Sequence, residues 1–242
     1  MATTHFILQG KGGVGKSLVA SALIQSLTLH GVAVQGIDTD PVNATLGSYK
    51  EFSAKVFNIM DEDNINSRKF DEVLEIVMNA GPEEHIVIDN GASSFIPLMS
   101  YLKENDAVSL IQENGHDVFL HTVITGGQAM QDTMKGLKSL CVHFPSTPIV
   151  VWLNLYFGDI VHDDKSFDEF AVYKDHKKQF HAVITIPNKN KGTFGKDVEE
   201  LLAKKMSFEA GINSSLPIMV RQRLKTYWRE FEDAISQAHL AA

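Results

Sequence analysis

The sequence predicts an α/β fold: a doubly wound, mostly parallel sheet with helices on both faces, in a single domain over residues 1–242. Three observations predict it. Short continuous apolar runs alternate with segments of helical periodicity along the whole chain. A glycine-rich loop at residues 10–17 (GKGGVGKS) stands directly between the first apolar run and the first helical pattern. Later runs stop at Asp38, Asp89 and Asn154, polar residues placed where an open parallel sheet presents its carboxyl edge to a ligand.

Taken in order, residues 5–9 (HFILQ) form the first strand and end at glycine. Residues 17–29 place Val19, Leu23, Ile24 and Leu27 at helical spacing, and His30 with Gly31 closes that helix. Residues 32–37 read as the second strand. A loop containing Pro and Asn covers residues 40–48, and a polar region extends through residues 61–66. Ser67 then caps a helix with Phe70, Val73, Leu74 and Val77 on one face. Residues 85–88 (HIVI) are the third strand, and two short helices between 97 and 114 split near Asn105 and Asp106. A strand over 118–124 precedes a helix over 128–141, started after Gly126 and Gly127. Residues 149–153 (IVVWL) are a buried strand, and residues 163–180 read as an inserted charged helix. The last strand, 182–186, ends at Pro187, and helices follow over 196–206 and 217–239. No linker or repeat interrupts the alternation.

Composition narrows the function classes. A net charge of -8 argues against a surface built to bind nucleic acid through phosphates. One cysteine, Cys141, excludes an internal disulfide and a CxxC metal pair, so a cytoplasmic setting is expected. The apolar runs are of strand length, and the sequence predicts neither a membrane span nor an export signal. Of ten histidines, His116, His121 and His143 fall on different elements, and His162-Asp163-Asp164 reads as a solvated loop. No H-E-x-x-H spacing supports a transition-metal site and no G-x-S-x-G supports a serine hydrolase.

The loop fits G-x-x-x-x-G-K-[ST] in the strand-to-helix context that the motif requires. Gly10, Gly12, Gly13 and Gly15 let backbone N–H groups, with those of Val14 and Leu18 beside them, converge on phosphate oxygens without Cβ atoms in the way. Lys16 is then placed to reach the β- and γ-phosphates, and the Ser17 hydroxyl to bind magnesium. Residues 85–89 have the form of a Walker B strand, with Asp89 holding magnesium through a water.

The extra lysine, Lys11, makes the loop resemble the deviant Walker A family of ParA/MinD-type P-loop ATPases, whose signature K-G-G-x-G-K-[ST] stands here from Lys11 to Ser17. The resemblance implies ATP and Mg2+ as cofactors and an ATP-dependent homodimer in which Lys11 contacts the phosphates bound by the partner subunit. Residues 36–47 (GIDTDPVNATLG) resemble the family's D-x-D-P-x-x-N segment. By that match Asp40 orients the attacking water and Asp38 lies near the magnesium shell, so Lys11, Lys16 and Asp40 are the catalytic candidates and Ser17, Asp38, Asp40 and Asp89 the metal candidates. Residues 91–94 resemble the mobile switch, although Asn90-Gly91-Ala92 departs from the usual D-x-P-P. Asn154 matches an asparagine that reads the adenine edge, and Pro187 a loop that packs on the base. The guanine-reading N-K-x-D is absent after this strand.

Residues 36–45, 87–97, 121–129, 150–154 and 221–225 are similar to TraL-type proteins of conjugative plasmid transfer regions. That resemblance implies a bacterial accessory ATPase whose partners are protein components of plasmid transfer or partition. A non-hydrolysing nucleotide-binding scaffold and a ParA-like DNA-binding partition ATPase are the alternatives; a metabolic ligase lacks a second substrate motif. Arg221, Arg223 and Lys225 would serve DNA binding, but three cations on an acidic chain fit a helix surface better. Glu230, Glu232 and Asp233 make the last helix a docked core helix rather than a membrane-binding tail.

Overall fold

The computed structural model describes residues 1–241. Its strands are β1 (Thr3–Ile7), β2 (Ala33–Asp38), β3 (Lys55–Val56), β4 (Met60–Asp61), β5 (Asn64–Ile65), β6 (Glu84–Asp89), β7 (Asp117–Thr125), β8 (Ile149–Asn154), β9 (Val161–His162), β10 (Lys165–Ser166) and β11 (Phe180–Ile186). Seven of them form one sheet in the order β11-β8-β7-β1-β6-β2-β3, with every neighbouring pair parallel. The helices are α1 (Lys16–Leu29), α2 (Phe70–Met78), α3 (Phe95–Glu104), α4 (Ala107–Glu113), α5 (Met130–His143), α6 (Ala171–His176), α7 (Lys196–Ala203), α8 (Phe208–Ile212) and α9 (Ile218–Ser236). After β6 the chain crosses to the other side of β1, so the reversal of strand order opens a crevice at the carboxyl end of β1.

Side chains alternate across the sheet with period two and build a core on each face. Phe6, Ile86, Ile88 and Leu120 face α2 to α5, whereas Ile7, Val87, Val123 and Trp152 face α1, α7, α8 and α9. Trp152 is wholly buried. Helix α9 docks through Leu224, Tyr227, Phe231 and Ile235, the apolar stripe its sequence shows. Gly31, at φ 77°, supplies the left-handed residue that turns the chain out of α1. Among the described residues no helix is long and apolar enough to cross a membrane.

Several local expectations are corrected. β1 begins and ends two residues earlier than 5–9, because its pairing with β6 runs from Thr3 opposite His85 to Ile7 opposite Asp89. The cap before α2 is Asn66, not Ser67: its side chain accepts from the Arg68 N–H and starts a 3-10 turn. Residues 163–180 are not one helix. Asp163 and Asp164 both adopt left-handed φ (49° and 56°), which folds β9 and β10 into a hairpin, and only six residues of α6 follow. The predicted 196–206 helix stops at Ala203, since Lys205 is left-handed at φ 52° and Ser207 caps the separate α8. The β4–β5 hairpin occupies much of the polar region read at 61–66, and edge strand β3 falls at 55–56, where no element was expected.

Candidate nucleotide-binding site

The glycine-rich loop leaves β1 and is anchored at its root by Gln9. Its buried amide nitrogen donates to the Val123 and Thr133 carbonyls at 3.1 Å, with the Thr122 hydroxyl at 3.2 Å. The amide lies against α5 where Gly136 has no side chain; a Cβ there would meet Gln9 Oε1 at 2.4 Å. Gly136→Ala is therefore expected to lower the unfolding free energy by about 1–3 kcal/mol through overpacking. Gly81→Ala, whose Cβ meets nothing closer than 3.7 Å, is the control in thermal unfolding.

Within the loop Gly13 and Gly15 take φ of 74° and 108°, which turns successive N–H groups inward ahead of α1. Lys16 is buried, and its ammonium donates to the Lys11 carbonyl at 3.3 Å. Burial pulls the Lys16 pKa down, with Asp89 and Asp40 opposing that change. The Lys11 ammonium projects from the loop to Asp132 Oδ2 on α5, at 3.1 Å with both side chains about half exposed.

Three carboxylates from the strand ends come together here, in different states. Asp38 is fully buried; its Oδ1 accepts from Asp40 N and its Oδ2 from Gly47 N, each at 2.9 Å. Burial nonetheless raises its pKa, more than these backbone bonds lower it. Asp40 Oδ1 accepts from Val42 N at 2.9 Å and Asn43 N at 3.1 Å, closing the loop after β2. Asp89 is different. It is 2% exposed, faces the Ser17 side chain, and leaves Oδ1 buried without a partner. Burial pushes its pKa up to about 7, against the lowering influence of the Ser17 hydroxyl and the Lys16 charge.

The segment after Asp89 departs from D-x-P-P yet is well organised. Asn90 Oδ1 accepts from Thr39 Oγ1 at 3.1 Å and Ser94 Oγ at 2.8 Å, tying it to the end of β2. Gly91 packs on Asp40 so closely that a Cβ would lie 2.9 Å from the carboxyl carbon. The candidate switch at residues 91–94 thus touches the loop after β2 through Gly91 and Asp40.

On the far side of the loop a cleft of about 200 Å³ is lined by Leu18, Asn154, Tyr156, Pro187, Val198 and Tyr227, among others. Asn154 donates from Nδ2 to the Val14 carbonyl at 2.8 Å and accepts from Tyr156 N at 3.1 Å, so one N–H and one lone pair remain. Tyr156 bonds Glu199 through its hydroxyl, and Lys191 lies 4.9 Å from its ring centroid. The structure therefore gathers all the candidate residues at one edge of the sheet. Gln9, Asp132, Tyr156 and Glu199 escaped the sequence reading, and Asn90 entered it only as a departure from D-x-P-P; Asn90, directly after Asp89, and Tyr156, two positions after Asn154, carried a positional signal. The basic residues of α9 are partly committed: Arg221 donates to the Leu216 carbonyl, and Arg223 pairs with Asp197 at 2.5 Å.

A strand, an anion-cradling loop, a buried unpartnered carboxylate and a base-sized cleft occur in one crevice. Comparison with known proteins adds the decisive observation: the family model for the CobQ/CobB/MinD/ParA nucleotide binding domain matches residues 5–208. The chain belongs to that family. Within the CobQ/CobB/MinD/ParA family it is similar to two proteins of Escherichia coli named Protein TraL. One is 46% identical over 227 residues, 93% of each chain; the other is 44% identical over 240 residues, 98% of this chain and 99% of the relative. In fold it is similar to the septum site-determining protein MinD of Pyrococcus horikoshii, solved with Mg-ADP, at a TM-score of 0.58 and 18% identity. That match covers 100% of this chain and 99% of the other.

Proposed function

We propose that this protein binds ATP with Mg2+ in the crevice at the end of β1 and is a slow ATPase whose ATP-bound form closes into a homodimer. Its relatives' name supports a role accessory to conjugative plasmid DNA transfer in the bacterial cytoplasm, with transfer or partition proteins as partners. The observation that carries the reading is Asp89: a buried carboxylate facing the Ser17 side chain, with one oxygen unpartnered beside the phosphate loop. An orphaned buried oxygen calls for a partner, and a hydroxyl with one carboxylate is a donor set suited to magnesium, which takes few protein ligands and keeps waters. Ser17 would hold the ion directly and Asp89 through water. Magnesium would neutralise charge on the β- and γ-phosphate oxygens.

The chain's own residues do the rest. N–H groups of residues 10–18 and the start of α1 cradle the phosphates, and Lys16 leaves the Lys11 carbonyl for a phosphate oxygen. Leu18, Tyr156 and Pro187 enclose the base, and the free half of the Asn154 amide meets its edge. Asp40 accepts a hydrogen bond from the attacking water on the oxygen not used by Val42 and Asn43. Lys11 exchanges Asp132 for the phosphates of the partner subunit; an exposed ion pair is worth about 0–1 kcal/mol, so the exchange costs little. Asp38 anchors the loop after β2 through Gly47 and stands behind the magnesium shell.

A second reading, a scaffold that binds nucleotide without hydrolysing it, is favoured by the two backbone N–H groups that Asp40 already holds. Solution mass by light scattering separates the two, measured with ADP, with ATP, and with ATP for Asp40→Ala. The switch predicts a doubled mass with ATP alone, persisting longer in Asp40→Ala. Unchanged mass in all three removes the dimerisation switch. Equal ATP turnover in Asp40→Ala and the parent removes Asp40 from catalysis.

A further inference from the structure

The sequence scatters histidines over separate elements, but the fold lines three of them up. Beneath α1 and α9, on four adjacent strands, Trp152 (β8), His121 (β7), His5 (β1) and His85 (β6) form a continuous hydrogen-bonded row. Trp152 Nε1 lies 3.0 Å from His121 Nδ1, His121 Nε2 lies 2.9 Å from His5 Nδ1, and His5 Nε2 lies 2.9 Å from His85 Nδ1. His5 and His121 are fully buried and His85 is 5% exposed. The Phe119 ring stacks on His5 at 5.6 Å, sealing the row.

An indole N–H can only donate, so Trp152 fixes the direction of the whole row. His121 must accept at Nδ1 and therefore carries its hydrogen on Nε2. His5 then accepts at Nδ1 and donates from Nε2, and His85 accepts at Nδ1. Every imidazole is neutral and in the same tautomer. A further proton on any of the three can land only on a Nδ1 that is already accepting, so each protonation turns one bond of the row into two opposed N–H groups. We infer that this row is an acid-sensitive lock on the sheet: it holds the four strands together only while all three imidazoles are neutral, and acid opens it.

Nothing packed against the row offers a countercharge. Buried residues of α1 over this face are apolar or small except Lys16, which stands at the loop end. Helix α9 contributes Tyr227, Phe231 and Ile235, with Glu232 engaged by His30 and Ser236. Strand β11 brings His181, itself bonded to the Ala238 carbonyl, and β2 brings Val34 opposite His85. Glu84 and Asp117 flank the row in sequence: Glu84 is spent on the Gly81 N–H, and Asp117 is exposed at the start of β7. Asp89 lies four residues beyond His85, about 13 Å along the strand. Consistently, burial holds all three imidazoles below the ordinary histidine value, with His121 at about 3.

The sign follows directly. The unfolded chain takes up protons near pH 6.5 and the folded chain does not, so stability is full above that value and falls as pH drops toward 3. With three such groups the unfolding constant rises by up to about 10³-fold per pH unit below 6.5. The experiment is denaturant unfolding of the nucleotide-free chain between pH 7.5 and 5.5, for the parent and for His5→Gln, which can still donate and accept but takes no proton. The variant should show a slope shallower by about tenfold per pH unit; Asp89 titrates alike in both and cancels. Equal slopes overturn the inference. A long-range proton–nitrogen correlation spectrum of the parent tests it without any variant. All three imidazoles should be neutral and protonated on Nε2; a protonated Nδ1, or folded-state titration near 6.5, overturns it.

Discussion

Lys16→Ala should abolish nucleotide binding, whereas Lys11→Ala should leave binding intact and cut turnover. Both lysines lie on one loop, but they occupy different environments. Lys16 is buried beside Asp89 and Asp40 and already donates to the loop's own backbone, at the Lys11 carbonyl. Its loss would remove the cation that the proposed binding mode places on the phosphates. Lys11 points away from that enclosure toward Asp132 and is about half exposed. A cation that reaches the phosphates only from a second subunit contributes to the transition state and not to ground-state binding, as an arginine finger does. By that analogy Lys11→Ala should slow hydrolysis by about 10³-fold or more. Titration of a fluorescent ATP analogue gives the binding arm and single-turnover hydrolysis gives the other. Asp132→Asn is the companion variant: it frees Lys11 without touching the loop and should leave binding unchanged. If Lys11→Ala and Lys16→Ala lose binding equally, Lys11 acts in its own subunit and the trans-lysine mechanism is wrong.

The division between what was legible in the sequence and what was not follows a physical line. Residues 149–153 and 85–88 could be read as strands because a sheet covered on both faces demands unbroken apolar runs, and few other structures do. The phosphate loop was legible because glycine is strongly favoured where φ turns positive, as at Gly13 and Gly15. Residues 163–180 misled because their charge pattern suits a helix, while the deciding feature, two consecutive left-handed aspartates, leaves no periodic mark. Lys205 ended α7 in the same silent way. In the site, the residues at strand ends were visible and their supports were not. Gln9 bridges to Thr133 across 124 positions, and Asp132 meets Lys11 across 121. Such pairings exist only once α5 has packed beside β1. The histidine row is the extreme case: four strands from four parts of the chain must be ordered before its members meet.

Asp89→Asn should make the nucleotide-free protein more stable at pH 8 while removing its response to magnesium and ATP. Asp89 sits at about pKa 7 in the folded chain because burial penalises its charge more than Ser17 and Lys16 favour it. A raised carboxylate pKa means that its contribution to stability is fully present below the unfolded value near 3.8 and is lost as pH rises through 7. Above pH 7 the chain therefore holds a buried carboxylate with an unpartnered oxygen, at a cost on the order of a few kcal/mol. Asparagine has the same shape without the charge, so the variant's unfolding midpoint should lie above the parent's at pH 8. The gap should narrow as pH is lowered toward 5, where the folded parent is itself neutral at this position. Magnesium with ATP should raise the parent's midpoint by linkage, and the variant's by much less. A variant less stable than the parent at pH 8 without ligand would mean that the Lys16–Asp89 attraction outweighs the burial of the charge. In that case this carboxylate carries no strain and is not held ready for a cation.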